Sequence, residues 1–406
     1  MPDEITIPTL VRYAIILNFF GVGILFPLHY PVREVLILGL WTWAFPSRVG
    51  YLSFALLPFF PSVRYGYYAF NLFCVMSTLG AAHSFSQWAT YHHYLSDKLH
   101  RLTRTCLMIS LVIAAWQACD GVAWMRVFPE MYAMGNGRGG GLQTEPSLLA
   151  SPFVLYLGFS LWKYVQCGGE TTDARKILSE VAVLCMATIA VTRSLTVVLA
   201  ALCFLPGFVK SIMRLVVYSV GCAVVTIIVL GSRILSAFSN SGAFTYLITT
   251  AVGSWRNVPD IIILSNLKAF LLPQDPSGIR DRISTLATWW NIHFAWVENT
   301  YSTFSASAST VGIIVTAIVF GAWVWFGYRR ISCAKNLQAT WIMLFFADWF
   351  IFPKFEVCGW IGIGLLTSFA LITEEVAAEP PAQDSVITST PMCQAEIIGS
   401  EGKSCA

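Results

Sequence analysis

The sequence predicts an all-α, polytopic integral membrane protein of about 12 transmembrane helices with one large outer loop late in the chain. Three observations carry this. Apolar residues make up 56% of the 406 and charged residues only 12%, about half the ~25% of a soluble domain. Mean hydropathy is +0.66. The remaining charges cluster between long apolar runs.

A helix needs about 20 apolar residues to cross the hydrocarbon layer, and fewer where it is kinked or packed inside a bundle. Taken in order, the runs are 9–28, 34–46, 48–61, 65–85, 105–124, 147–166, 179–192, 194–208, 212–231, 304–326, 337–353 and 357–373. The second and third are short and are split by Pro46. The first run continues too long for a cleaved signal peptide and shows no small-residue cleavage site. Residues 232–303 form the one long polar interruption. The tail, 374–406, has six carboxylates, one Lys, three Pro and no apolar helical stripe, the composition of a disordered segment.

Lys and Arg in short loops orient the chain. With the N-terminus inside, the short inner loops hold eleven of them and the short outer loops six. Segments 125–146 and 232–303 then face outward, and the tail faces the cytoplasm.

Several classes are excluded. A net charge of +3 gives no nucleic-acid footprint. The eleven Cys sit mostly inside apolar runs, and none forms a CxxC or a His/Cys ligand cluster. No metal site and no disulfide framework is therefore expected.

The outer side carries nine Arg against two Lys, and the inner side seven Arg against five Lys. Guanidinium is a planar, permanently charged fork that grips phosphate through two parallel hydrogen bonds. An Arg-rich outer face suits a diphosphate at the membrane surface, although snorkelling or ion-paired arginines give the same count. Three segments sharpen the expectation. Gly137-Arg138-Gly139-Gly140-Gly141-Leu142-Gln143-Thr144-Glu145-Pro146-Ser147 precedes the sixth helix. Its glycines allow close backbone approach. Pro146 suits the first helical position, and the helix N-terminus offers an anion site. Glu145 fits either the helix dipole or a catalytic role. Thr192-Arg193-Ser194 is a tight outer turn whose Arg lies at the interface, either as a ligand-binding group or snorkelling to lipid phosphate. The large loop holds Arg256, then Arg280-Asp281-Arg282, then Glu298-Asn299-Thr300-Tyr301. Its stretch 282–296 fits an amphipathic helix on the interface or a simple lid.

In this order and placement, these segments resemble the bacterial O-antigen polymerase and O-antigen ligase superfamily (Wzy and WaaL types), most closely the Wzy-type exopolysaccharide polymerases. The resemblance covers roughly residues 125–355. It rests on Gly-Leu-Gln-Thr-Glu-Pro-Ser before a helix, Thr-Arg-Ser before an apolar run, Arg282-x-x-x-Leu286, and Glu298-Asn299-Thr300-Tyr301 with Gly312 beyond. It implies a metal-independent, inverting glycosyltransferase domain over 1–373 in the bacterial inner membrane, with no cofactor. The implied donor is a glycan on undecaprenyl diphosphate, passed to a new lipid-linked repeat unit in a polymerase or to lipid A-core in a ligase. Membrane lipids, a chain-length regulator and a flippase are the expected partners. Ligases of this family carry His-Asn where this chain has Glu298-Asn299, which favours polymerase. His293 lies nearby but off the motif.

Guanidinium groups can stabilise a leaving diphosphate in place of a metal. Arg193, Arg282, Arg280, Arg256 and Arg138 are the candidates. An acceptor hydroxyl benefits from a base within hydrogen-bond reach, and Glu298, Glu145 and Asp281 are preferred in that order. A transporter or flippase for lipid-linked oligosaccharides is the non-catalytic rival. Such proteins place polar groups at the midplane, whereas here Lys163 and Asp348 are read near helix ends and Asp120 near the outer interface.

Overall fold

The computed structural model describes residues 6–19, 36, 39–40, 42–46, 48, 51, 95–119, 138–143, 146–167, 171–209, 213, 216–221, 224, 313–330, 339–340 and 342–344. Among them every regular element is helical: α1 (Thr6–Phe19), α2 (Leu95–Cys119), α3 (Ala150–Gln166), α4 (Thr172–Thr192), α5 (Leu195–Phe208) and α6 (Ile313–Arg330). The expected all-α class holds for these residues. The expected count of twelve spans is not shown among the described residues. One described helix, Asp97–Cys119, is long and apolar enough to cross a membrane, and Thr9–Phe19 and Thr196–Phe208 are shorter apolar helices. The runs 65–85 and 357–373, the loop 232–303 and the tail 374–406 lie outside the described residues.

Local chemistry explains the boundaries. Pro8 sits in the first turn of α1, where its missing N–H costs nothing. Thr171 caps α4, its side chain accepting from Ala174 N at 3.2 Å, and Asp173 lies in the first turn where the helix dipole favours it. α4 therefore begins seven residues before the apolar run at 179. α2 likewise begins ten residues before its run at 105. In both, the charged residues at the N-terminal end belong to an amphipathic extension of the helix rather than to a loop. α5 contains Pro206 and closes two residues later.

Among the described helices, α1, α2 and α4 run one way and α3 and α5 the other. The salt bridge from Lys163 Nζ to Asp97 Oδ1 (2.8 Å) joins the end of α3 to the start of α2. Arg104 of α2 reaches Glu180 of α4 at 3.0 Å, so those two run parallel. The C-terminal ends of α1, α2 and α4 meet at the opposite end, together with the starts of α3 and α5.

α3 is the centre of the packing. Every residue from Leu149 to Trp162 is buried, in one core cluster with Leu107 and Leu111 of α2, Ile177 and Val181 of α4, and Val197 and Phe204 of α5. From Met108 onward α2 departs from a soluble amphipathic helix, while its buried face mixes Leu99, Cys106, Leu107, Leu111 and Ala114 with polar residues. Its exposed stripe is apolar, with Met108, Val112 (70%) and Trp116 (52%) at successive steps of four. Its buried face carries Thr103, Ser110 and Gln117 at steps of seven. Val183 and Met186 on α4 and Ile314, Ile318 and Trp325 on α6 are also exposed.

Candidate functional site

The end where α1, α2 and α4 finish is closed by residues 138–143. Helix C-termini leave carbonyl groups without partners inside the helix, and this segment supplies donors to them. Gly139 N donates to Val191 O at 3.1 Å, and Arg138 Nε donates to Thr192 O at 3.0 Å. Gln143 Nε2 donates to Asn18 O at 3.1 Å and Phe19 O at 3.3 Å, tying down the end of α1. Gln117, buried on α2, reads the loop backbone: its Oε1 accepts from Gly140 N (2.9 Å) and Gly141 N (2.8 Å), and its Nε2 donates to Gly141 O (2.7 Å).

Two glycines are dictated by this contact. A Cβ on Gly139 would sit 1.8 Å from Ala114 O. Gly141 has φ +66°, and a Cβ there would sit 2.6 Å from Ser110 O. The glycines do bring backbone into close approach, but to the protein's own helices. The amides of Gly139, Gly140, Gly141 and Gln143 all donate within the protein, so this stretch is not an open phosphate cradle.

The expectation for the start of the following helix is corrected too. Pro146 lies in a turn ahead of α3, not at its first position, and the helix begins at Ala150 after Leu149. Ala150 N and Ser151 N donate to Ser147 O and Leu148 O, and Ser147, Leu149, Ala150 and Ser151 are buried. These donors are not presented to an anion at the surface.

Arg193 occupies the sharp turn between α4 and α5. Its backbone is left-handed (φ 46°, ψ 43°), and its N–H closes α4 on Ile189 O at 2.9 Å. It is the one non-glycine residue with positive φ among the described residues. Its side chain is exposed, while Thr192 and Ser194 on either side are buried. Arg138 and Arg193, two of the arginines expected at the diphosphate, thus meet at one turn. Arg138 is part-buried and caps the carbonyl next to Arg193. Glu145, Arg256, Arg280, Asp281, Arg282, His293, Glu298 and Asn299 lie outside the described residues.

A second polar group lies toward the other end, among α2, α3 and α4. Glu180 accepts from Arg104 Nη1 through Oε2 (3.0 Å) and from the Tyr156 hydroxyl through Oε1 (3.2 Å). His100 Nε2 stands 3.5 Å from Oε1, and its ring stacks on Tyr156 with centroids 5.9 Å apart. The sequence reading missed this cluster, because it began α4 at 179 and so left Glu180 at a helix end. The available signal was His100 and Arg104 four apart, on one helical face. Cys167, just past α3, donates its N–H to Lys163 O at 3.0 Å. Burial pushes its thiol pKa up, which disfavours the nucleophilic thiolate.

Together these elements define a packed, antiparallel helical assembly with an arginine-bearing turn at one end and a carboxylate-centred cluster toward the other. No protein-family model, curated protein or solved structure matches this chain.

Proposed function

We propose that this chain is a multi-pass inner-membrane polysaccharide polymerase. It would transfer a growing glycan from undecaprenyl diphosphate to a new lipid-linked repeat unit at the periplasmic face, by inversion and without a metal. The observation that carries the reading is the strained, exposed Arg193, held at the end of the bundle that the charge rule places outside, with Arg138 fixing the turn beneath it. Left-handed backbone at a non-glycine residue is costly and gathers at functional sites. The exposed apolar stripe of α2 supports the membrane setting, since hydroxyl and small side chains between helices and apolar ones outside are the pattern of helices packing in lipid.

In this reading Arg193 grips the diphosphate, joined by Arg282, Arg280 and Arg256 from the outer loop. Arg138 serves chiefly to position the turn. Glu298, beside Asn299, is the leading base, ahead of Glu145 and Asp281. The resemblance to Wzy-type polymerases supplies the sugar chemistry. A transporter of lipid-linked oligosaccharides is the second reading, and one observation favours it: the Glu180 cluster puts polar groups inside the helix packing, where the sequence reading expected almost none.

Topology tests the setting. In a background freed of reactive cysteines, Ser277→Cys should react with a membrane-impermeant maleimide in spheroplasts. Thr172→Cys, exposed at the start of α4, should react only after permeabilisation. The opposite pattern would put the loop arginines in the cytoplasm and defeat the proposal.

A further inference from the structure

We propose that His100 and Glu180 form a one-proton site inside the helix packing, with Arg104 as the cation that competes for the same carboxylate. His100 is 1% exposed, and neither ring nitrogen has a hydrogen-bond partner. An imidazole always presents at least one N–H donor, so a buried ring with both nitrogens unmatched is an unfinished arrangement. Glu180 Oε1 stands 3.5 Å from Nε2. A shift of a few tenths of an ångström would turn that approach into a hydrogen bond.

Glu180 is suited to accept it. Oε2 is held by Arg104 at 3.0 Å, whereas Oε1 receives only the 3.2 Å bond from Tyr156. The oxygen with the weaker partner is the one that faces the imidazole. The surrounding charges set the stoichiometry. Among the described residues, on α2 they are Asp97, Arg104 and the exposed Arg101, on α3 Lys163 with the neutral Tyr156 hydroxyl, and on α4 Glu180. α1 offers Arg12 and Tyr13, both exposed, and α5 has no acid or base besides Cys203. Asp97 pairs with Lys163 and Glu180 with Arg104, so these two described pairs are balanced while His100 is neutral. One added proton gives the cluster an excess positive charge. It is accommodated if Glu180 turns from Arg104 to His100, because Arg104 is 37% exposed and can turn to water. A second proton could go only to Glu180 and would leave both cations, His100 and Arg104, with no counter-charge, which caps occupancy at one.

The site has a structural reach. Arg104 and His100 lie on α2 and Glu180 on α4, and the far ends of these two helices carry Gln117, Val191 and Thr192, which hold the glycine loop. Glu180 and Arg193 are about 20 Å apart along α4. The inference rests on the packing of α2, α3 and α4 alone, and it stands or falls separately from the glycosyl-transfer reading.

The test is a pH titration of full-length protein in lipid nanodiscs, labelled with ¹⁵N,¹³C-histidine. The His100 signal is identified by its loss in His100→Gln. In the wild type, His100 should pass from neutral to charged in one step before the protein unfolds in acid. An opposite charge within hydrogen-bonding range typically moves such a midpoint by about 1–3 pH units. Glu180→Gln should therefore lower the proton affinity of His100 at least about tenfold, and Arg104→Gln should raise it about threefold or more. A merely structural cluster would lose melting temperature in both variants without these opposite shifts. The proposal is overturned if His100 stays neutral down to the unfolding pH, or if its midpoint is the same in Arg104→Gln as in the wild type. Arg104→Gln decides the matter alone should Glu180→Gln fail to fold.

Discussion

Arg193→Gly is expected to abolish polymer synthesis while leaving the protein as stable as its parent. The left-handed conformation costs an L-residue about 1–2 kcal/mol, and glycine removes that cost. Glycine also gives the unfolded chain more freedom, worth about 0.5–1 kcal/mol in the other direction. The two nearly cancel, so the melting temperature should hold or rise slightly. Losing one preorganised donor to a developing anion typically costs about 10²–10³ in rate, and the variant should fall by that much at unchanged expression. Arg193→Lys keeps the charge and the strained backbone but lacks the planar fork, so its activity should lie between the two. Polymer yield equal to wild type in Arg193→Gly would reduce this side chain to a surface or snorkelling role.

Gly139→Ala should have the largest effect on stability. The new methyl group would overlap the Ala114 carbonyl, 1.8 Å away, and a backbone carbonyl in mid-helix cannot turn aside. The loop must lift, which strains the bonds that Gly140 and Gly141 make to Gln117. Overpacking of this kind costs about 1–3 kcal/mol, and each buried donor left unmatched adds about 1–3 kcal/mol. A loss of about 3–5 kcal/mol is expected, read as a large fall in melting temperature and in folded yield. Gly321→Ala, inside α6 with nothing within 4 Å of the added group, is the control and should be as stable as the wild type or more so by about 0.5–1 kcal/mol. Equal stability of the two variants would mean that the loop does not press on α2 as described.

The sequence made the apolar body of the helices legible and hid their charged ends. The apolar pattern puts α5 at 194–208 against the observed Leu195–Phe208, and it ends α4 at the observed Thr192. Hydropathy registers what the bilayer solvates, so it stops where Lys98, Arg101 and Arg104 on α2, or Arg175 and Lys176 on α4, begin. The backbone continues as helix because tertiary packing of one face sustains it. That difference concealed the Glu180 cluster. The glycine-rich segment was legible as a place of close backbone approach, but not in what it approaches. Gln117 and Gln143 act on backbone 24 and 125 residues away, a relation that local pattern does not encode. Gln117 had one local signal, a polar residue in the middle of an apolar run, which in lipid calls for a partner. The arginine turn was legible because both its shortness and its charge are local properties.

The most direct measurement is reconstitution. Purified chain in liposomes, given an undecaprenyl-diphosphate-linked repeat unit and a metal chelator, should yield a ladder of longer lipid-linked glycans and release undecaprenyl diphosphate. Under the same conditions Glu298→Gln should bind the donor but elongate about 10²–10⁴-fold more slowly, the usual worth of a general base. A substrate that is carried across the bilayer and never lengthened would contradict the account and leave the transporter reading in its place.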